Sequence, residues 1–79
     1  MRRYYFDLRD GDELTVDEEG LELPDLDAVQ QEAARSLRDM TREELYDSIG
    51  NPAQISVEVR EDAGAVMRAW IAFEIQRTN

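Results

Sequence analysis

The chain has 79 residues, 19 carboxylates against nine arginines, and no cysteine, histidine or lysine. These absences exclude disulfides, thiolate metal sites, zinc sites of the usual kind and imidazole catalysis. A net charge of −10 opposes binding to phosphate backbones and anionic lipid, and a domain of this size buries only roughly 60% of its unfolded surface, which leaves little room for a deep active-site cavity.

The segment "RYYFDLR" alternates, with Tyr4, Phe6 and Leu8 on one face and Arg3, Tyr5, Asp7 and Arg9 on the other. This predicts a first strand over residues 3–9. Asp10-Gly11 marks a hairpin. A two-residue loop at that dipeptide sets Leu8 opposite Glu13 and Phe6 opposite Thr15, apolar against polar. A three-residue loop, Arg9-Asp10-Gly11 with Gly11 in a left-handed bulge, pairs Phe6 with Leu14 and Tyr4 with Val16. The second register is the expected one, with a second strand over about residues 12–17.

"DEEG" closes that strand at Gly20, and "LELPDLD" continues as a short extended piece. Pro24 keeps Glu22 and Leu23 extended, Asp25 suits a helix N-cap, and Asp27 is favourably placed in the first turn. Leu26, Val29, Ala33, Leu37 and Met40 then fall within about 80° of one another on a helical wheel. Because Glu44 would enter this stripe, a break is expected near Thr41. There Thr41 and Glu44 offer a capping box for a short second turn holding Leu45 and Ile49.

"GNP" at 50–52 reads as a loop. It is followed by "AQISVEVR", with Ile55, Val57 and Val59 on one face, and "EDAG" makes a turn. "AVMRAWIAFEIQR" then places Met67, Ala69, Ile71, Phe73 and Ile75 together. The expected fold is α+β, a ββαββ two-layer sandwich in which one main helix packs on one face of a four-stranded antiparallel sheet. It occupies residues 1–79 as a single domain.

The stretches "RYYFDLRDGD", "DEEGLELPDLDAV", "VEVR" and "AFEIQR" together resemble a small uncharacterised bacterial family, a domain of unknown function common in alphaproteobacteria. The resemblance covers nearly the whole chain and implies the same two-layer fold, with no established activity or site residues. The strand-strand-helix front is also similar to that of HicB-like antitoxins, which implies a partner-binding role; no DNA-binding segment follows it here.

The acidic stretch 7–27, with ten carboxylates and the single Arg9, invites comparison with a calcium loop. Frames starting at Asp7 or Asp10 both fail, the first with Arg9 and Gly11 at ligand positions, the second with Leu14 and Thr15 where a ligand and Gly belong. A non-standard divalent-metal cluster of Asp10, Asp12, Asp17, Glu18 and Glu19 is the alternative to local roles in turns, an edge strand and a helix start. No metal ligand set and no cofactor is assigned. Ser36, Ser48 and Ser56 have no histidine or lysine to activate them, and the glycines lie singly, so no phosphate loop is present. Catalysis is not expected.

If the helix covers Phe6, Val57 and Ile71, the opposite face carries the only tryptophan. Arg3, Tyr5, Arg60, Arg68, Trp70 and Ala72 form the candidate interface there. Three uses compete for it. They are self-association into a homodimer across the face or a strand edge, stacking of single-stranded nucleic acid on Tyr5 and Trp70, and Trp70 lying over arginine stems without a partner. The first is favoured, with another protein as the variant, and the net charge disfavours the second. Arg35, Arg38 and Arg42 share an outward helix face, diluted by Glu32, Asp39 and Glu43, and read as a solvated surface. No run of about 20 apolar residues could span a membrane. The arginines at the start are not followed by the apolar stretch of a secretory signal, so a cytoplasmic location is expected.

Overall fold

The computed structural model describes residues 1–47 and 53–78. In chain order these form β1 (Arg2–Asp10), β2 (Glu13–Thr15), β3 (Leu21–Leu23), α1 (Leu26–Asp47), β4 (Ala53–Glu61) and β5 (Gly64–Phe73). The antiparallel sheet runs in the order β2-β1-β4-β5, and β3 pairs with the start of β1. The expected α+β architecture is present, with five strands rather than four. The extra strand is "LEL", anticipated as extended; it matches Leu21 with Tyr4, Glu22 with Arg3 and Leu23 with Arg2.

The helix lies across one face of the sheet and buries the apolar alternation of the central strands. Tyr4 and Phe6 of β1, Ile55, Val57 and Val59 of β4, and Val29, Ala33 and Leu37 of α1 form the core. Leu8, Leu23, Met40, Val66, Met67 and Ala69 pack around it, half-buried. Val66 and Met67 both reach it because a register shift between Val59 and Arg60 leaves an extra residue on β5. Asp25 caps the helix as expected: its carboxylate accepts the Ala28 N–H at 2.9 Å, and its carbonyl accepts Val29 N–H at 3.2 Å.

Four sequence expectations are corrected. In the first hairpin, Leu8 pairs with Thr15, Arg9 with Leu14 and Asp10 with Glu13, around a two-residue Gly11-Asp12 loop. Gly11 has φ 59° and Asp12 is not in the positive-φ region, the pattern of a turn that needs glycine at its first central position. The bulged register presumed a buried face beneath this end of the sheet. Leu14 and Val16 are instead 46% and 50% exposed, so burial did not enforce apolar pairing and turn chemistry set the register.

Second, the helix continues without a break to Asp47. Thr41 donates its hydroxyl to the Arg38 carbonyl at 2.7 Å, a bond inside the helix rather than a cap for a new one. Ile49 and the loop at 50–52 lie outside the described residues. Third, Leu26 is half-exposed at the helix start instead of joining the buried stripe. Fourth, Ile71 is 37% exposed although it points to the helix side, because β5 is the last strand of the sheet and α1 centres on β4.

Candidate functional site on the open face of the sheet

Direct cross-strand partners share a face, so the register sets out the side chains opposite the helix in rows. One row runs Leu14, Arg9, Ser56, Trp70 across four strands; the next runs Asp7, Glu58, Arg68; another runs Tyr5, Arg60, Ala65. Ala72 lies opposite Gln54, and Arg3 opposite Glu22. Arg3, Tyr5, Arg60, Arg68, Trp70 and Ala72 therefore all lie on the face that the helix leaves open. They fall into two groups with different chemistry.

The first group surrounds Asp17. After Thr15 the chain leaves the ladder, and the Asp17 side chain takes the place of a backbone acceptor. One carboxylate oxygen accepts Phe6 N–H at 3.1 Å, and the other accepts Glu19 N–H and Gly20 N–H, each at 3.1 Å. The Asp17 N–H donates to the Asp7 carboxylate at 2.9 Å. Arg60 donates Nε–H to that same Asp7 carboxylate at 2.9 Å and Nη2–H to the Asp17 carbonyl at 2.9 Å. The guanidinium also lies 4.6 Å from the centre of the Tyr5 ring. Arg3 closes the turn by donating to the Glu19 carbonyl at 2.7 Å.

Gly20 sits beneath these side chains with φ 75°. A Cβ there would come within 2.8 Å of Arg3 Cγ and 2.9 Å of Tyr5 Cε1, so only glycine lets both stems cross the backbone. Partial burial raises the Asp17 pKa, but the N–H donors of Phe6, Gly20 and Glu19 and the Arg60 charge outweigh it, and the carboxyl is held below its ordinary value. The hydrogen bond to Asp7 raises the Arg60 pKa further.

The second group lies beside the outer edge of β5. Arg68 stacks 5.3 Å from the Trp70 ring centre and approaches Glu58 at 3.7 Å. Trp70 is nevertheless 57% exposed. Ser56 is buried between Arg9 and Trp70, and Arg9, Gly11, Gln54, Ser56 and Arg68 line a hollow of about 140 Å³. Trp70 and Ile71, adjacent in sequence, are exposed on opposite faces of one strand.

The residues singled out from sequence are thus divided. Arg3, Tyr5 and Arg60 are engaged in holding the Asp17 turn, whereas Arg68, Trp70 and Ala72 lie on β5, whose outer edge pairs with no other strand among the described residues. Sequence reasoning missed Asp17 and Gly20 as a unit, although Asp three residues before Gly signals a side-chain-closed turn. The acidic hairpin does not converge either. Among the described residues no group of three or more carboxylates is arranged to hold a metal ion, and no described helix is long and apolar enough to cross a membrane. A groove of about 450 Å³ flanks β2, lined by Phe6, Leu8, Thr15, Val16, Asp17, Glu18 and Glu19.

Comparison with curated proteins and with solved structures finds no match. A family model described as Domain of unknown function (DUF6894) matches residues 3–71, from Arg3 in β1 to Ile71 in β5 and including every member of the Asp17 cluster. The chain belongs to the DUF6894 family.

Proposed function

We propose that this protein is a non-enzymatic interaction module that self-associates through the part of its sheet centred on β5. The observation that carries this reading is the pairing of an exposed Trp70 with an exposed Ile71 on a ten-residue strand at the end of the sheet. Tryptophan is strongly favoured at interface centres, and a long apolar edge strand is a template for pairing with another strand. Among the described residues, no strand occupies that outer edge.

Charge supports a protein partner over nucleic acid. Arg60 is shared between Asp7 and the Asp17 carbonyl, Arg68 approaches Glu58, and the whole chain carries −10, so few cations remain to meet phosphates. Divalent-metal binding by the acidic hairpin has less support, because Asp17 already accepts three backbone N–H groups.

Sedimentation velocity from low to high micromolar protein tests the proposal. The expected result is a concentration-dependent dimer that Trp70→Ala weakens. A monomer throughout, unaffected by the substitution, overturns it. Quenching of Trp70 fluorescence by short single-stranded RNA at low salt would favour base stacking instead.

A further inference from the structure

We infer that two copies pair antiparallel along β5, with the twofold axis passing through Ile71 and Arg68 of each copy facing Glu74 of the other. This rests on the self-association proposed above and specifies its geometry. Two identical antiparallel strands related by a twofold axis normal to the sheet keep their faces. Residues opposite one another must then lie an even number of positions apart, so only a few registers exist.

With the axis at Ile71, Trp70 lies opposite Ala72, Arg68 opposite Glu74, Ala69 opposite Phe73 and Met67 opposite Ile75, and Ile71 meets its own copy. Away from the axis each large side chain meets a small or flexible one, the two Ile71 side chains meet at the axis itself, each open-face charge meets its opposite, and the helix-side residues are all apolar. Moving the axis to Trp70 stacks two tryptophans on one spot and sets Glu74 opposite Val66, which packs against the core. Moving it to Ala72 sets Trp70 opposite Glu74. Moving it to Ala69 sets Glu74 opposite Gly64. Among these neighbouring registers, only the Ile71 axis pairs the two charges.

The pairing also accounts for both exposed residues at once. On the open face, Trp70 gains Ala72 of the second copy beside it while keeping its stack with Arg68. Arg68 itself then sits between Glu58 of its own copy and Glu74 of the other. On the helix side, the exposed Ile71, which lies opposite the fully buried Ile55 within its own copy, gains its twin and joins the two cores. The strand is long enough: it runs as a ladder to Phe73, with a further bridge at Ile75. Glu74 lies beyond the part of the chain that the family model matches.

Two sets of variants of the full chain test this, both read beside wild-type sedimentation. Arg68→Glu and Glu74→Arg each put like charges opposite one another twice per dimer, and each should raise the dimer Kd about tenfold. The double variant, with the charges exchanged, should restore it. Because the chain has no cysteine, Ile71→Cys creates one thiol per copy at the axis, where strand partners come close enough for a disulfide. Mild oxidation should then convert this variant to covalent dimer, with Ala69→Cys and Phe73→Cys as poorly linking controls that link efficiently when mixed with each other. A wild-type dimer in which the double variant is not restored and Ile71→Cys does not cross-link overturns the β5 pairing but leaves self-association standing. A wild-type monomer overturns both.

Discussion

The two edges of this sheet are built in opposite ways. Along the edge formed by β2 and β3, neither strand exceeds three residues, and the turn at residues 16–20 separates them. The backbone groups that this turn would leave open are taken by side chains: the Asp17 carboxylate accepts Phe6 N–H, and Arg3 donates to the Glu19 carbonyl. Glu13 and Glu22 add charge. Short strands, an interruption and charges are the devices by which sheets block association. At the other edge, β5 runs for ten residues with Arg68 as its only charge and with Trp70 and Ile71 exposed. One edge is closed by polar side chains, and the other, among the described residues, pairs with no further strand.

The closed edge should be the costlier one to damage. Asp17→Ala removes the acceptor for three N–H groups at once and should destabilise the protein by about 2–3 kcal/mol, a large fraction of the stability of so small a domain; denaturant unfolding measures it. Gly20→Ala forces a positive φ on a residue with a Cβ and drives that Cβ into Arg3 and Tyr5. It should cost about 1–2 kcal/mol, with loss of the near-ultraviolet signal of an ordered Tyr5 as a second readout. At β5 the effects should separate. Ile71→Lys should abolish the dimer, seen by sedimentation, while changing monomer stability by no more than about 0.5 kcal/mol.

The smallest effect is the one that pH reveals. The folded-state pKa of Asp17 is depressed, so its contribution is fully present above the unfolded carboxyl value of about 3.9 and is lost as pH falls through the lower folded value. The stability difference between wild type and Asp17→Asn should therefore shrink as pH drops below about 4. A difference that stays constant down to strongly acidic pH would show that the charge of Asp17 is not what holds the turn.

Much of the fold can be read from periodicity because the central elements are long. The β4 alternation, Met67 and Ala69 of β5, the Val29-Ala33-Leu37 stripe and the Asp25 cap appear as expected. The first hairpin was not legible for the opposite reason. With β2 only three residues long, three pairs had to decide between turn chemistry and apolar matching, and no buried face favoured the match. The Asp17 turn joins residues 6, 7, 17, 20 and 60, a set that no local pattern connects. As for the site, alternation alone places Trp70 and Ala72 on the open face. That Ile71, on the other face, is also exposed follows only from β5 being the last strand, which is a matter of strand order.

Amide hydrogen exchange measured residue by residue at low and high protein concentration tests the contrast between the edges most directly. The outward-facing amides of β5 between Met67 and Phe73 should become slower to exchange as concentration rises, while those of β2 and β3 stay unchanged. Exchange along β5 that does not depend on concentration, or protection that builds up along β2 and β3 instead, would contradict the assignment of β5 as the associating edge.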